Sequence, residues 1–532
     1  MSASDSSILG RVMLAFEGTE LPARIAERLA AAPAAGLTLF RPFNVRSPGQ
    51  VRELTAAFQR AGGADRWAPL LVAADQEGGQ LIALGDATTP FAGNMALGAV
   101  DGTSLTFDVA RAIGLEARAM GVNVVYAPSL DLASNPDNPA IGIRSFGDDP
   151  AAVARHGEEF VRGLQSAGVA AAVKHFPGIG DLSGDTHHGL SVVEASRDVL
   201  DARELVPFRS VFSPANRARP LLAMSGHAAL PAVTGRHDVP ATLSREVMTD
   251  LLDRDLQFDG LVISDALDMG AITGGEYGGG VAAGVPDVVT AIRAGIDLLL
   301  TTADDEARTR IEAALVDAEA AGAFDMDELA RIDVRLARLR AWLGGHSPQP
   351  DLSIVGAAEH QALAGRLAAR SITLVRDPGG LVGAVPEGRV LAVMPKPTDL
   401  TPADTSSYVE PGLAAALRRH LPDVDEVVVD QQPDAAEIAA VRARVEGAAL
   451  AVIGTIDGHR QPEQLALVEA VAATGTPTIA VALRGPWDIA DYPQTVAALA
   501  TYSILPPSLA ALADVLAGRA SATGRLPVTI SA

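Results

Sequence analysis

The chain has 532 residues, 48% of them hydrophobic and 20% charged, which is material for two or three globular domains and too much for one. Its 42 basic and 65 acidic residues leave a formal charge of −23, which argues against nucleic acid or an anionic membrane as partner. With zero cysteines, disulfides, thiolate catalysis and cysteine-ligated metal centres are excluded.

The opening Met1-Ser2-Ala3-Ser4-Asp5-Ser6-Ser7 has no basic run and no long apolar stretch after it, so a soluble cytoplasmic chain is expected. Near-continuous apolar, β-branched runs then recur, with Ala-rich stretches between them. Strands are expected near Arg11–Phe16, Gly36–Arg41, Pro69–Asp75, Val122–Ser129, Val169–Gly178, Leu221–His227, Gly260–Ala266 and Asp297–Ala303. Pro22–Ala35, Ser47–Ala61, Asp149–Ala167 and Val285–Ala294 suit crossover helices. Ser47 followed by Pro48 supplies an N-cap hydroxyl and a first-turn proline. Eight strands alternating with helices predict a (β/α)8 TIM-type barrel over residues 1–345. Gly274–Gly284 reads as a surface loop.

Residues 346–370 form a Gly/Pro-bearing linker and a connecting helix. A second series of strands follows at Ser371–Val375, Arg389–Val393, Glu426–Val429, Ala449–Gly454, Thr478–Val481 and Ala497–Thr501. Helices at Pro411–Arg419 and Ala435–Val445 make residues 371–532 a C-terminal α/β sandwich domain. Neither a G-x-G-x-x-G after a strand nor a Walker A motif is present, so nucleotide binding has no support.

In a barrel of this type, chemistry sits at the C-terminal ends of the strands. Polar residues gather there: Asp75 after the third strand, Arg144 on the loop after the fourth, Lys174 and His175 on the fifth, His227 on the sixth and Asp265 on the seventh. Each alone has a plainer reading. Asp265 suits a helix cap, Lys174 and Arg144 suit solvated loop cations, and His227 suits a satisfied core histidine. Asp185-Thr186-His187 suits an Asx turn. Accidental polar residues would not favour the same end of five strands.

The segments Asp75-Gln76-Glu77-Gly78-Gly79, Arg144-Ser145-Phe146, Lys174-His175-Phe176-Pro177-Gly178 and Ser264-Asp265 resemble, in order and spacing, the signatures of glycoside hydrolase family 3. Asp185-Thr186-His187 resembles the acid/base tripeptide of its β-N-acetylglucosaminidase branch. The resemblance implies a retaining glycosidase with Asp265 as nucleophile, His187 as acid/base and Asp185 orienting the imidazole. It assigns Asp75, Arg144, Lys174, His175 and His227 to the sugar hydroxyls. The substrate implied is a small glycoside or peptidoglycan fragment, with no cofactor and no metal. Glycines 178, 180, 184 and 189 suggest hinges of a loop that closes on substrate, holding His187 away from Asp265 in an empty site. One departure stands out. Relatives acting on cell-wall sugars commonly carry R-x-x-R just after D-Q-E-G-G, where this chain has Gln80 and Ala83. A phosphorylase or β-glucosidase on the same scaffold, or a sugar-binding protein without turnover, are the competing readings.

Overall fold

A computed structural model describes residues 7–530 apart from 65–66, 101, 188, 217, 268 and 274–286. The predicted loop Gly274–Gly284, the start of the helix predicted from Val285, and His188 lie outside the described residues. Eight parallel strands form one sheet: β1 Val12–Leu14, β2 Gly36–Leu39, β3 Leu71–Ala74, β4 Val124–Val125, β5 Ala170–Phe176, β6 Leu222–Ser225, β7 Leu261–Ser264 and β8 Leu299–Leu300. Each pairs with its neighbours in chain order, and β8 pairs with β1. A parallel bridge between Ile263 and Leu298, with Ser264 N donating to Leu298 O at 3.0 Å, closes the ring. This is the predicted (β/α)8 barrel. The strands are buried on both faces, which is why they read as unbroken apolar runs.

The ladders are shorter than the runs. The fourth has its ladder at Val124 and Val125, is interrupted where Pro128 has no N–H to give, and pairs again at a bridge between Ser129 and Lys174, with Pro128 O accepting from Lys174 N at 3.1 Å. Chain beyond these short ladders is free to turn its side chains into the rim. Helix starts follow their caps. Ser47 Oγ accepts from Gln50 N at 3.3 Å ahead of the helix Pro48–Ala61, and Asp149 Oδ1 accepts from Ala151 N at 2.8 Å ahead of Pro150–Ser166.

The second sheet has six strands: β9 Thr373–Arg376, β10 Val390–Pro395, β11 Val424–Val429, β12 Leu450–Thr455, β13 Thr478–Ala482 and β14 Ala497–Ala500. Their spatial order is β9-β14-β13-β12-β10-β11, antiparallel only at β9 and β14. Alternation sorts its two faces. Val390, Ala392 and Met394 pack with Leu413 and Leu512 on one side, whereas Leu391 and Val393 join Val441 and Leu467 on the other. Helices cover both faces, the α/β sandwich expected.

The two sheets are joined by buried polar bonds. Thr405 N and Oγ1 each donate to Gln80 O at 2.8 Å, and the Glu116 carboxylate accepts from His360 Nδ1 at 2.7 Å. After Gly524 the chain returns to the barrel. There Arg525 N donates to Ala99 O at 2.9 Å, and Asp148 N to Pro527 O at 3.1 Å. Among the described residues no helix is long and apolar enough to cross a membrane.

Candidate active site

A cavity of about 920 Å3 opens at the C-terminal ends of the barrel strands. Asp75, Arg144, Lys174, His175, His187 and Asp265 all line it, so six of the eight predicted site residues come together there. A smaller void of about 70 Å3, near the N-terminal ends of β7 and β8 beside Met248 and Asp297, is too small for a sugar ring.

Strand β5 ends in the central cation. Lys174, only 1% exposed, donates through Nζ to Asp75 Oδ1 at 2.5 Å and lies 2.6 Å from Glu77 Oε1. Arg144 grips the same Glu77 in a two-pronged pair, Nη2 to Oε1 at 2.9 Å and Nε to Oε2 at 3.1 Å. Burial opposes ionisation of Glu77, but Arg144 and Lys174 overcome it and hold the carboxyl near a pKa of about 2. Two cations on one buried carboxylate leave Asp75, whose side chain is 25% exposed, to face the cavity as a fixed acceptor.

His175 is set by Asp131. The Asp131 carboxylate accepts from His175 Nδ1 at 2.6 Å, from the His175 backbone N at 3.1 Å and from Ile179 N at 2.8 Å. Nε2 is thereby aimed at the cavity, 3.3 Å from Arg144 Nη2 and 4.0 Å from Asp265 Oδ2. Asp265 follows β7, and its Oδ1 accepts from Ala266 N at 2.8 Å. Burial works to raise its pKa. The nearby charges of His175, His227 and His187, with the Ala266 N–H, outweigh it and hold the carboxyl below its ordinary value. Asp265 is therefore an ionised carboxylate at neutral pH.

The tripeptide Asp185-Thr186-His187 forms the Asx turn, and the same carboxylate also holds the imidazole. Asp185 Oδ1 accepts from His187 N at 2.9 Å, an Asx turn, and from the ring Nδ1 at 2.6 Å. Nε2 is the ring nitrogen outside this pair. The loop is folded inward, with Thr186 O accepting from Ala271 N at 3.1 Å. His187 thus shares the cavity wall with Asp265, and no hydrogen bond joins the two among the described residues. Two of the four supposed hinge glycines are packing requirements instead. A Cβ on Gly180 would collide with Leu132 O, and one on Gly178 would sit 3.1 Å from Glu204 Cβ at a φ of 115°.

His227 is corrected. It is 1% exposed and absent from the cavity wall, because both ring nitrogens are engaged inside: Nδ1 with Thr242 Oγ1 at 2.7 Å and Nε2 with Ala266 O at 3.1 Å. It steadies the peptide beside Asp265 and does not grip sugar. Sequence reasoning missed Asp131 and Glu77 as site residues. Glu77 sits two residues beyond Asp75, and Asp131 two beyond the fourth predicted strand, so the strand-end rule that found the others reaches both.

Glu204 lies beneath this loop and gives a stability prediction. Oε1 accepts from Arg203 Nε at 2.8 Å and Ser134 Oγ at 3.2 Å, while Oε2 is buried without a partner. Burial pushes its pKa from 4.5 up to about 7. Because the folded state keeps a proton that the unfolded chain releases, stability falls as pH rises through that window, by about 3 kcal/mol. Glu204→Gln should abolish that slope and melt higher than the parent at pH above the window, as denaturant titrations at several pH values would register.

A wall of fixed carboxylates, cations and imidazoles suits a polyhydroxylated ring. The class this defines is a barrel glycoside hydrolase. Comparison with known proteins agrees: the glycosyl hydrolase family 3 N-terminal domain matches residues 12–339 and the family's C-terminal domain matches residues 270–532. The chain belongs to glycosyl hydrolase family 3. It is 31% identical to the β-hexosaminidase A of Pseudoalteromonas piscicida over 96% of this chain and 92% of that one. A β-N-acetylglucosaminidase/β-glucosidase of Cellulomonas fimi is 34% identical over 59% of this chain and 56% of its own. The solved family 3 β-N-acetylglucosaminidase from Paenibacillus sp. str. FPU-7 superposes with a TM-score of 0.91 at 34% identity, covering 100% of this chain and 99% of that one.

Proposed function

We propose that this protein is an exo-acting, retaining β-N-acetylglucosaminidase that removes terminal β-linked N-acetylglucosamine from small glycosides or peptidoglycan fragments. The observation that carries the reading is the His187–Asp185 pair, bonded at 2.6 Å on the same cavity wall as Asp265. An Asp265 oxygen attacks the anomeric carbon as the glycosidic C–O bond breaks, and His187 Nε2–H delivers its proton to the departing oxygen. The product is a glycosyl ester on Asp265. Water then attacks the same carbon, His187 takes its proton and the ester bond breaks, so the β configuration returns. Asp185 holds the imidazole and offsets its positive charge. The buried Lys174–Glu77–Arg144 end closes the cavity and admits a chain terminus only, which supports exo action.

The names of the β-hexosaminidase and β-N-acetylglucosaminidase relatives support the acetylated sugar. The test is release of nitrophenol from the 4-nitrophenyl β-N-acetylglucosaminide beside the β-glucoside, with the first product's anomer read by NMR. Faster turnover of the acetylated substrate and an initial β product are expected. Preference for the glucoside, or an initial α product, would refute the proposal. Sugar 1-phosphate formed on adding phosphate would replace the hydrolase by a phosphorylase.

A further inference from the structure

The cavity has two unlike ends. At the buried end stand Asp75, Arg144, Lys174 and His175, with Asp265 beside them. From there the wall runs past Leu81 and Ala83 to an exposed end built from both sheets' loops, where Tyr408 of the second unit meets Arg41, which follows β2. The Arg41 guanidinium lies 3.8 Å over the Tyr408 ring and is pinned by Asp86 at 2.6 Å and Ile82 O at 3.2 Å. Backed in this way, Tyr408 is still 46% exposed and presents an aromatic side chain on the wall of the cavity.

The charges around it matter. Among the described residues, each lysine and arginine on the wall is matched to a carboxylate: Lys174 to Asp75 and Glu77, Arg144 to Glu77, Arg41 to Asp86. The exposed carboxylates Glu17 and Asp304 have no ion pair among those residues, and Asp399, which accepts from Ser407 N and Oγ at 2.7 Å, faces only Arg484, itself bonded to Asp404. The arginine that Ala83 lacks is therefore not restored as a free cation, since Arg41 is spent on Asp86 and Tyr408. Gln80 is committed too, its Nε2 donating to Ala403 O at 3.1 Å.

We infer that the leaving-group end of the cavity, built on Tyr408 backed by Arg41, takes an uncharged pyranose such as a second N-acetylglucosamine and disfavours a leaving group bearing a carboxylate. This rests on the glycosidase reading above and narrows its substrate class. The aromatic face stacks on the apolar face of the second ring. A carboxylated ring finds no donor cation there and is repelled across distances that salt screens.

Three substrates test it, each by kcat/KM: N,N′-diacetylchitobiose, the N-acetylglucosaminyl-N-acetylmuramic acid disaccharide with its lactyl carboxylate, and methyl β-N-acetylglucosaminide as a control with a minimal leaving group. At low salt the chitobiose should exceed the muramic disaccharide by about tenfold. The gap should close in high salt and in a Glu17→Gln/Asp399→Asn double variant. Tyr408→Ala should lower the chitobiose value about tenfold relative to the methyl glycoside. Equal or faster cleavage of the muramic disaccharide, or an equal loss on all three substrates in Tyr408→Ala, would overturn the inference while leaving the glycosidase intact. No cleavage of the methyl glycoside or of either disaccharide would instead defeat the glycosidase reading and this one together.

Discussion

Asp265→Ala should lose turnover of β-N-acetylglucosaminides by roughly four orders of magnitude or more, because the other carboxylates at the buried end of the cavity are already held by partners. Asp75 and Glu77 are held by Lys174 and Arg144, and Asp185 is held by His187. The fold should survive, since among the described residues the hydrogen bond lost is that of Ala266 N to Oδ1. Azide supplies a diagnostic. In the space left by the carboxylate, a small anion attacks the anomeric carbon from the face Asp265 used, and the stable product is the α-glycosyl azide. Restored turnover with that product identifies the nucleophile. Near-parental activity without azide would remove Asp265 from the mechanism.

His187→Ala should cost on the order of 10²–10⁴ in rate on substrates with sugar leaving groups, the usual worth of a general acid/base. The loss should shrink on nitrophenyl glycosides, whose departing oxygen needs little help from a proton. There the ester on Asp265 should accumulate, because the second step still lacks its base, and a burst of nitrophenol should precede a slow steady state. Asp185→Asn should reproduce a weaker form of the same pattern, since it removes the charge that supports the ring at 2.6 Å. Equal losses on poor and good leaving groups would place the acid elsewhere.

The barrel was legible because its strands are buried on both faces and so read as unbroken apolar runs, and because polar residues marked one end of five of them. The strand-end rule located Asp75, Lys174, His175 and Asp265 before any geometry was known. It failed at His227 for a reason no local sequence displays: Thr242, 15 residues on, and the Ala266 carbonyl take both ring nitrogens. Asp131 lay within reach of the same rule, but its work is to hold His175, a contact across 44 residues that no local pattern displays. Least legible was the outer wall of the cavity. Thr405 bonds to Gln80 across 325 residues of chain, and Tyr408 covers Arg41 across a comparable gap; no periodicity or motif connects them. Likewise the hinge reading of the glycines was sound as conformational chemistry, yet Gly180 is demanded by the Leu132 carbonyl pressed against it.

The strap by which the chain's end returns to the barrel has a mechanical meaning. Arg525 and Pro527 fasten the far side of the second unit to Ala99 and Asp148, while Thr405 fastens its near side to Gln80. A plate bolted at both edges does not swing. The ring of Tyr408 is therefore kept at a set span from Asp265, and in the function proposed above the two would work as the jaws of a caliper, one cutting and one gauging what extends beyond the cut.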